Sequence, residues 1–301
     1  MSVMEDLYPS RQAEMPSISE RSDPVVYGDM AAIAGKPLGL ADLQFYEEHG
    51  YLDVAGFFSE AELRPYQEAL TRLWERDDVK TWPEVITEPG SDEVRSIFHI
   101  HHSNDVLRRL LCDRRLVDIV AQLLGSEVYI HQSRINYKRG FDGKEFYWHS
   151  DFETWHIEDG MPRMRAISCS ISLTENNEHN GPLMVIPGSH RSFISCVGET
   201  PEDHYKASLK KQEYGVPDHQ SLNFLVAANG IVAPKGPAGS VTFFDCNLMH
   251  GSNSNITPWA RSNIFCVYNS VDNILVEPFG GQKPRPEFIA VRQDVSPLQP
   301  V

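Results

Sequence analysis

Two textures of apolar patterning divide the chain. Between residue 39 and about 125, apolar side chains recur at helical spacing. "LADLQFYEEH" (Leu40 to His49) reads as a helix that Gly50 ends by taking the left-handed position after the last turn. "YLDVAGFF" then reads as a short strand. Ser59 and Glu62 form a capping box ahead of "EAELRPYQEALTRLWERDD", whose apolar positions share a helix face. A helical pair covers Asn104 to Leu124 and is closed by Gly125. Residues 1–38 hold scattered Pro, Ser and charge without a sustained period, which predicts an irregular segment.

From residue 126 to about 290 the pattern becomes that of strands. "EVYIHQSRINYKRG", "EFYWHSD", "MRAISCSISL", "GPLMVIPG", "NGIVAPKGPAGSVTFFDC" and "RSNIFCVYNSVD" alternate or run apolar between Gly, Pro, Asn and Asp. Helices followed by many short strands predict a mainly β protein with supporting helices and a jelly-roll-like core. A single domain over 39–290 fits, with a tail over 291–301. The long polar stretch from Ile194 to Leu222 reads either as a lid or insertion or as a plain surface excursion.

Composition then removes several classes of function. A net charge of −15 argues against a nucleic-acid partner and offers no polybasic membrane anchor. No apolar run is long enough for a membrane span, and the N-terminus lacks the apolar stretch of a secretory signal. Five cysteines, odd in number and without a C-x-x-C pair, read as buried or free thiols in a reducing cytoplasm.

The chemistry concentrates in "YWHSDFETWHIE", Tyr147 to Glu158. On a strand, His149 and Asp151 point to the same side. His156 has the opposite parity, and a bend after Asp151 would remove parity as a guide. An H-x-D pair alone is equally consistent with an ordinary half-buried strand. His250, in the turn region beyond "VTFF", offers a third ligand, and Arg261 follows at the start of another strand. Two histidines and a carboxylate would form a facial triad with three positions of an octahedral ion open, which suits Fe(II) binding a bidentate oxoacid and dioxygen. Arg261 could grip the far carboxylate of such an oxoacid. Zinc hydrolysis with Glu153 or Glu158 as general base is the competing chemistry. His99, His101 and His102 read as polar packing or pocket wall, His190 as a turn residue with a structural hydrogen bond, and His179, His204 and His219 as solvated.

"HSD", "NGPLMVIPGSHR" and "HGSNSNITPWAR" together resemble the phytanoyl-CoA dioxygenase superfamily of Fe(II)- and 2-oxoglutarate-dependent oxygenases. "FYWHSDFETWHIEDGMPRMR", with "DLYPSR", "VRSIFHIH" and "HQSRINYKRGFDGKEF", is similar to the ectoine hydroxylase family within it. The resemblance implies a double-stranded β-helix (jelly-roll, cupin-like) core. It implies hydroxylation of ectoine to 5-hydroxyectoine, in compatible-solute synthesis under osmotic or heat stress, with 2-oxoglutarate and O2 consumed and succinate and CO2 released. By motif position, His149, Asp151 and His250 would hold the iron. Arg261, Asn136, Ser170 and Ser252 would meet 2-oxoglutarate, and Phe146 would pack beside it. Gln132, Thr154, Trp155 and Arg285 would meet ectoine, and Phe265 would line its pocket. Trp155 could face the amidinium through a cation–π contact, and Arg285 could neutralise the carboxylate. The family also implies a homodimer. Other readings are the same chemistry on another small zwitterionic amino-acid derivative, or a non-catalytic compatible-solute binding protein.

Overall fold

The computed structural model describes residues 5–88, 90–201, 203–209 and 214–301. Among them the strands, in chain order, are β1 (Ser17–Glu20), β2 (Tyr51–Val54), β3 (Val85–Thr87), β4 (Val94–Phe98), β5 (Val128–Lys138), β6 (Phe146–His149), β7 (Ala166–Ser172), β8 (Leu183–Val185), β9 (Ser192–Ser195), β10 (Val241–Asp245), β11 (His250–Ser252) and β12 (Arg261–Ser270). A major antiparallel sheet has the order β2-β10-β7-β12-β5-β4-β3, a minor sheet the order β6-β11-β8, and β1 pairs with β9. The antiparallel jelly-roll core with supporting helices agrees with the pattern of the sequence.

Alternation along the strands explains the layering. Ile167, Cys169 and Ile171 of β7, Val241 and Phe243 of β10, and Ile264, Cys266 and Tyr268 of β12 fall on the outer face. There they join Leu107, Leu110, Leu116, Val120 and Leu123 of the helices Asp105–Leu111 and Arg114–Leu124 in one buried cluster. The opposite phase carries Asn136, Lys138, Ser168, Ser170, Arg261 and Asn263, which therefore point inward. The minor sheet closes this polar face, with Leu183 and Val185 of β8 packed on Phe244 and Phe265. A bulge at His131 breaks the β5–β12 register, with Val267 opposite Gln132 and Tyr268 opposite Ile130.

The helix ends follow the sequence signals. Ser59 and Glu62 exchange the two capping bonds ahead of helix Glu60–Trp74. Gly50 and Gly125 end their helices at φ +76° and +59°. A Cβ at Gly50 would collide with the His190 ring, which is fixed by its Nε2 contact to the Glu47 carbonyl at 3.2 Å.

Several segments are more ordered than their composition suggests. Within 5–38, β1 joins β9, and Tyr8, Ser10 and Arg11 are buried. The β3–β4 hairpin carries no strong periodicity in the sequence. In "NGIVAPKGPAGSVTFFDC" only Val241–Asp245 is strand, and Val232 makes a single bridge to Val185. The stretch 194–222 contains the end of β9, the turn Tyr205–Ser208 and the start of helix His219–Asn229; its residues 202 and 210–213 lie outside the described residues. His204, expected in solvent, is buried, its ring edge-on to Tyr214 at 4.4 Å. The tail does not trail away: the Leu298 and Val301 amides donate to the carbonyls of Val128 and Cys112. All five cysteines are free and buried, and no helix among the described residues is long and apolar enough to cross a membrane.

Gly50→Ala is expected to destabilise the protein by about 2 kcal/mol or more, from left-handed backbone strain plus the collision with His190. Denaturant unfolding checks this. A variant as stable as the parent would show that the turn relaxes freely.

Candidate active site

His149 ends β6 and His250 begins β11, and the two are register partners across the minor sheet. After Ser150 the chain turns into the short helix Asp151–Thr154, which continues as a π-turn over Trp155–Asp159. Asp151 is thereby returned beside both histidines. Its Oδ1 lies 3.6 Å from His149 Nε2, and its Oδ2 lies 3.8 Å from His250 Nε2. The ligand atoms of all three residues fall within 4.8 Å of one another. Adjacent ligands on an ion with ~2.1 Å bonds sit about 3 Å apart, so a small contraction would seat one.

The second contacts fix which atoms face the centre. His149 Nδ1 is 2.8 Å from the Tyr147 carbonyl and His250 Nδ1 is 2.9 Å from the Leu248 carbonyl. A carbonyl only accepts, so each Nδ1 carries the proton and each Nε2 keeps its lone pair. Ser168 Oγ donates to Asp151 Oδ2 at 3.1 Å. Burial alone would raise the Asp151 pKa, but His250, His149 and Arg134 hold it well below the usual carboxylate range. Burial and His149 push His250 down to about 4. At neutral pH His250 is therefore a neutral imidazole and Asp151 a carboxylate, and with the Nε2 of His149 they make a donor set that fits a divalent ion such as Fe(II).

The cavity beside this triad is lined by Asn136, Phe146, Ser252, Arg261 and Phe265, together with the two histidines. Arg261 is 3% exposed, and its Nε and Nη1 have no hydrogen-bond partner. Burial and the nearby Arg95 pull its pKa down to about 10. A buried guanidinium with free N–H groups is unfavourable unless an anion completes it. Phe146 packs against His149 at 4.9 Å between ring centroids. Ser170 is buried on the same inner face but does not line the cavity; its hydroxyl accepts from Asn263 at 2.9 Å.

The residues expected to meet substrate divide. Gln132 accepts from Arg134 Nη1 at 2.9 Å and donates to the Ile289 carbonyl at 2.8 Å. Trp155 is buried edge-on to His131 at 5.2 Å, and the Thr154 hydroxyl is buried without a partner. None of these three lines the cavity, and Gln132 touches its wall through Arg134. Arg285 does not line the cavity either: its guanidinium is held by Asp159 at 2.7 and 2.5 Å, with Glu158 at 3.8 Å.

Two inward cations escaped the sequence reading. Arg134 and Lys138 flank Asn136 at two-residue spacing and line the cavity with it. Arg134 Nε has no partner, and its guanidinium lies over the rings of Phe98 and Phe265 at 5.7 and 5.2 Å. The signal was present, since placing Asn136 inward places residues 134 and 138 inward as well.

The remaining acids and histidine of "YWHSDFETWHIE", and the histidines near residue 100, have structural contacts. Arg11 binds Glu153 at 2.7 Å and Glu158 at 2.8 Å, and Ser10 donates to Glu153 at 2.6 Å. Neither glutamate lines the cavity, so the zinc hydrolase loses its proposed base. His156 contacts the Met161 carbonyl at 2.8 Å and Asp6 at 3.0 Å and stacks on Phe279, which takes it out of the ligand set. His101 contacts Ser133 Oγ at 2.6 Å, and His99 stacks on His102.

Arg11→Met would leave Glu153 and Glu158 buried without their partner. It is expected to cost about 3–5 kcal/mol in denaturant unfolding. A loss under about 1 kcal/mol would mean that the N-terminal strap is not anchored through this cluster.

Comparison with known proteins agrees with this geometry. Residues 46–263 match the family model described as phytanoyl-CoA dioxygenase (PhyH). The ectoine dioxygenase of Bordetella bronchiseptica is 55% identical over 304 residues, covering 100% of this chain and 97% of its own. The crystal structure of EctD from S. alaskensis with 2-oxoglutarate and 5-hydroxyectoine superposes with a TM-score of 0.89 at 49% identity, over 99% of this chain and 98% of that one. The same enzyme with bound Fe gives a TM-score of 0.87 at 48% identity, over the same shares of the two chains. The chain belongs to the phytanoyl-CoA dioxygenase family and, within it, to the group of the ectoine dioxygenases.

Proposed function

We propose that this protein is an Fe(II)- and 2-oxoglutarate-dependent dioxygenase that hydroxylates ectoine to 5-hydroxyectoine and releases succinate and CO2. The observation that carries the reading is the unpartnered, buried Arg261 in the same cavity as His149 and His250. A metal triad alone fits many reactions. A triad with a free guanidinium in one cavity fits a ligand that chelates metal at one end and ends in a carboxylate at the other. The substrate follows from relatives of nearly the same length, one of them solved with 5-hydroxyectoine.

His149, Asp151 and His250 would hold the iron, which when bound supplies activation of dioxygen coupled to decarboxylation of the 2-oxo acid. Arg261 orients the co-substrate by pairing with its far carboxylate, with Ser252 and Asn136 beside it. Phe146, Leu183 and Phe265 exclude water from the reacting end. Arg134 receives the substrate carboxylate, the task first assigned to Arg285. Gln132 sets the direction of Arg134, Trp155 offers its face to the amidinium, and the free Thr154 hydroxyl offers a hydrogen bond. Ser170 acts one step back, by holding Asn263. A non-catalytic solute binder would need neither the triad nor Arg261. The reading extends to a cytoplasmic homodimer: five free thiols suit a reducing compartment, and the mass of the protein in solution tests the dimer.

Supplied with Fe(II), 2-oxoglutarate and O2, the protein should form succinate only when ectoine is added, with a product one oxygen atom heavier. Absence of turnover with ectoine sinks the proposal, and a substrate panel then separates another zwitterion from no activity. His250→Ala should abolish both iron retention and turnover. Arg134→Met should raise the KM for ectoine by about 10–100-fold, the worth of a charge-assisted hydrogen bond of ~1.5–3 kcal/mol, while 2-oxoglutarate binding changes little. An unchanged ectoine KM would remove Arg134 from the substrate site.

A further inference from the structure

Lys138 lies on the cavity wall among the residues just assigned and has no task in that reading. It is 3% exposed and faces Arg261 as its register partner on β12. The stem is threaded past two glycines, since a Cβ at Gly143 or at Gly181 would run into it. The ammonium is held at a set place by two neutral oxygens, Ser252 Oγ at 2.8 Å and the Asn253 carbonyl at 2.5 Å.

The charges that face it come from four elements. Arg261 of β12 and Arg95 of β4 are like charges. Glu88, before β4, is paired with Arg95 at 2.8 Å, and Glu145, before β6, accepts from Ser254 at 2.7 Å. No carboxylate among the described residues lies within ion-pair distance of Lys138. A buried guanidinium and a buried amine side by side, the amine on a hydroxyl and neither with a carboxylate partner, form an incomplete anion site.

We infer that Lys138 is a second cationic grip on the far carboxylate of 2-oxoglutarate, and that with Arg261 and Ser252 it makes the cavity select 2-oxo dicarboxylates over 2-oxo monocarboxylates. The inference rests on the reading that this cavity takes 2-oxoglutarate. Arg261 alone gives a planar two-pronged contact; Lys138 adds a point charge from the facing strand, and Ser252 bridges it to the ligand. Burial, Arg261 and Arg95 push the Lys138 pKa down to about 6, so in the ligand-free cavity the amine is largely neutral near pH 7.5. An arriving dicarboxylate favours the ammonium and draws a proton from solvent.

The test is anaerobic calorimetric titration of 2-oxoglutarate into the Fe(II)-loaded protein, its Lys138→Met variant and its Lys138→Arg variant. 2-Oxopentanoate, of equal length but without the far carboxylate, serves as the second probe. Lys138→Met should weaken 2-oxoglutarate about tenfold or more, leave 2-oxopentanoate within about twofold, and be partly rescued by Lys138→Arg. Titrations near pH 7.5 in buffers of different ionisation heat should show proton uptake by the parent protein with 2-oxoglutarate and none with 2-oxopentanoate. A folded Lys138→Met variant that binds 2-oxoglutarate within about twofold of the parent overturns the inference and leaves the proposed function standing. If that variant does not fold, absence of proton uptake by the parent overturns it. A parent protein that binds no 2-oxoglutarate overturns both.

Discussion

The pairing of His149 with His250 across β6 and β11 is the constraint on which the site depends. Register partners on neighbouring antiparallel strands bring two side chains to one face at close range, here with ring centroids 4.2 Å apart. A slip of one residue would send one imidazole to the other face. The β8–β11 ladder holds the register from the far side, and Leu183 and Val185 anchor that ladder to the major sheet. Asp151 then needs only a turn of chain to complete the triad. The helix that starts there supplies the turn, with its Phe152 amide tied to the Cys246 carbonyl.

The inner face of the major sheet is the second constraint, and it opposes stability. Arg134, Lys138 and Arg261 are brought into a low-dielectric space with few partners, which costs free energy in the ligand-free protein. The outer face offsets this: the same strands present an unbroken apolar surface to the helices. The alternation of side chains along a strand thus separates the two demands, so that every second residue stabilises the fold and the residues between build a preorganised anion cavity.

Alternation is also why much of this was legible in the sequence. Period and turn residues give the helices, the β core and the ends at Gly50 and Gly125, because those signals are local. The triad was legible because His149 and Asp151 are two apart on a strand-like run, His250 follows another such run, and Arg261 begins a third. What stayed hidden depends on distant partners. Arg11 meets Glu153 across 142 residues, so "DLYPSR" reads as irregular although it straps the signature helix. Arg285 sits in a Pro-rich loop, and nothing local says that Asp159 will hold it. The inward direction of Arg134 and Lys138 was hidden for a different reason: cations in a strand normally mark the solvent side, and here the solvent side is a cavity.

The density of acids in "HSDFETWHIEDG" now has a physical reading. Of its four carboxylates only Asp151 faces the metal centre. Glu153 and Glu158 hold Arg11, and Asp159 holds Arg285. The π-turn over Trp155–Asp159 alters the helical spacing, so that Glu158 and Asp159 address different arginines while Trp155 turns toward His131. The effect is a sorting of charge around one short helix. Arg11, Arg21 and Arg285, outside the cavity, are each matched by protein carboxylates. Of the cations that line the cavity, Arg95 is matched by Glu88, while Arg134, Lys138 and Arg261 have no ion-paired carboxylate among the described residues. Glu153 and Glu158 are committed to Arg11, and neither lines the cavity. The acids of the short helix other than Asp151 are thus held by arginines outside the cavity, and the unmatched cations within it are left to the carboxylates of its ligands.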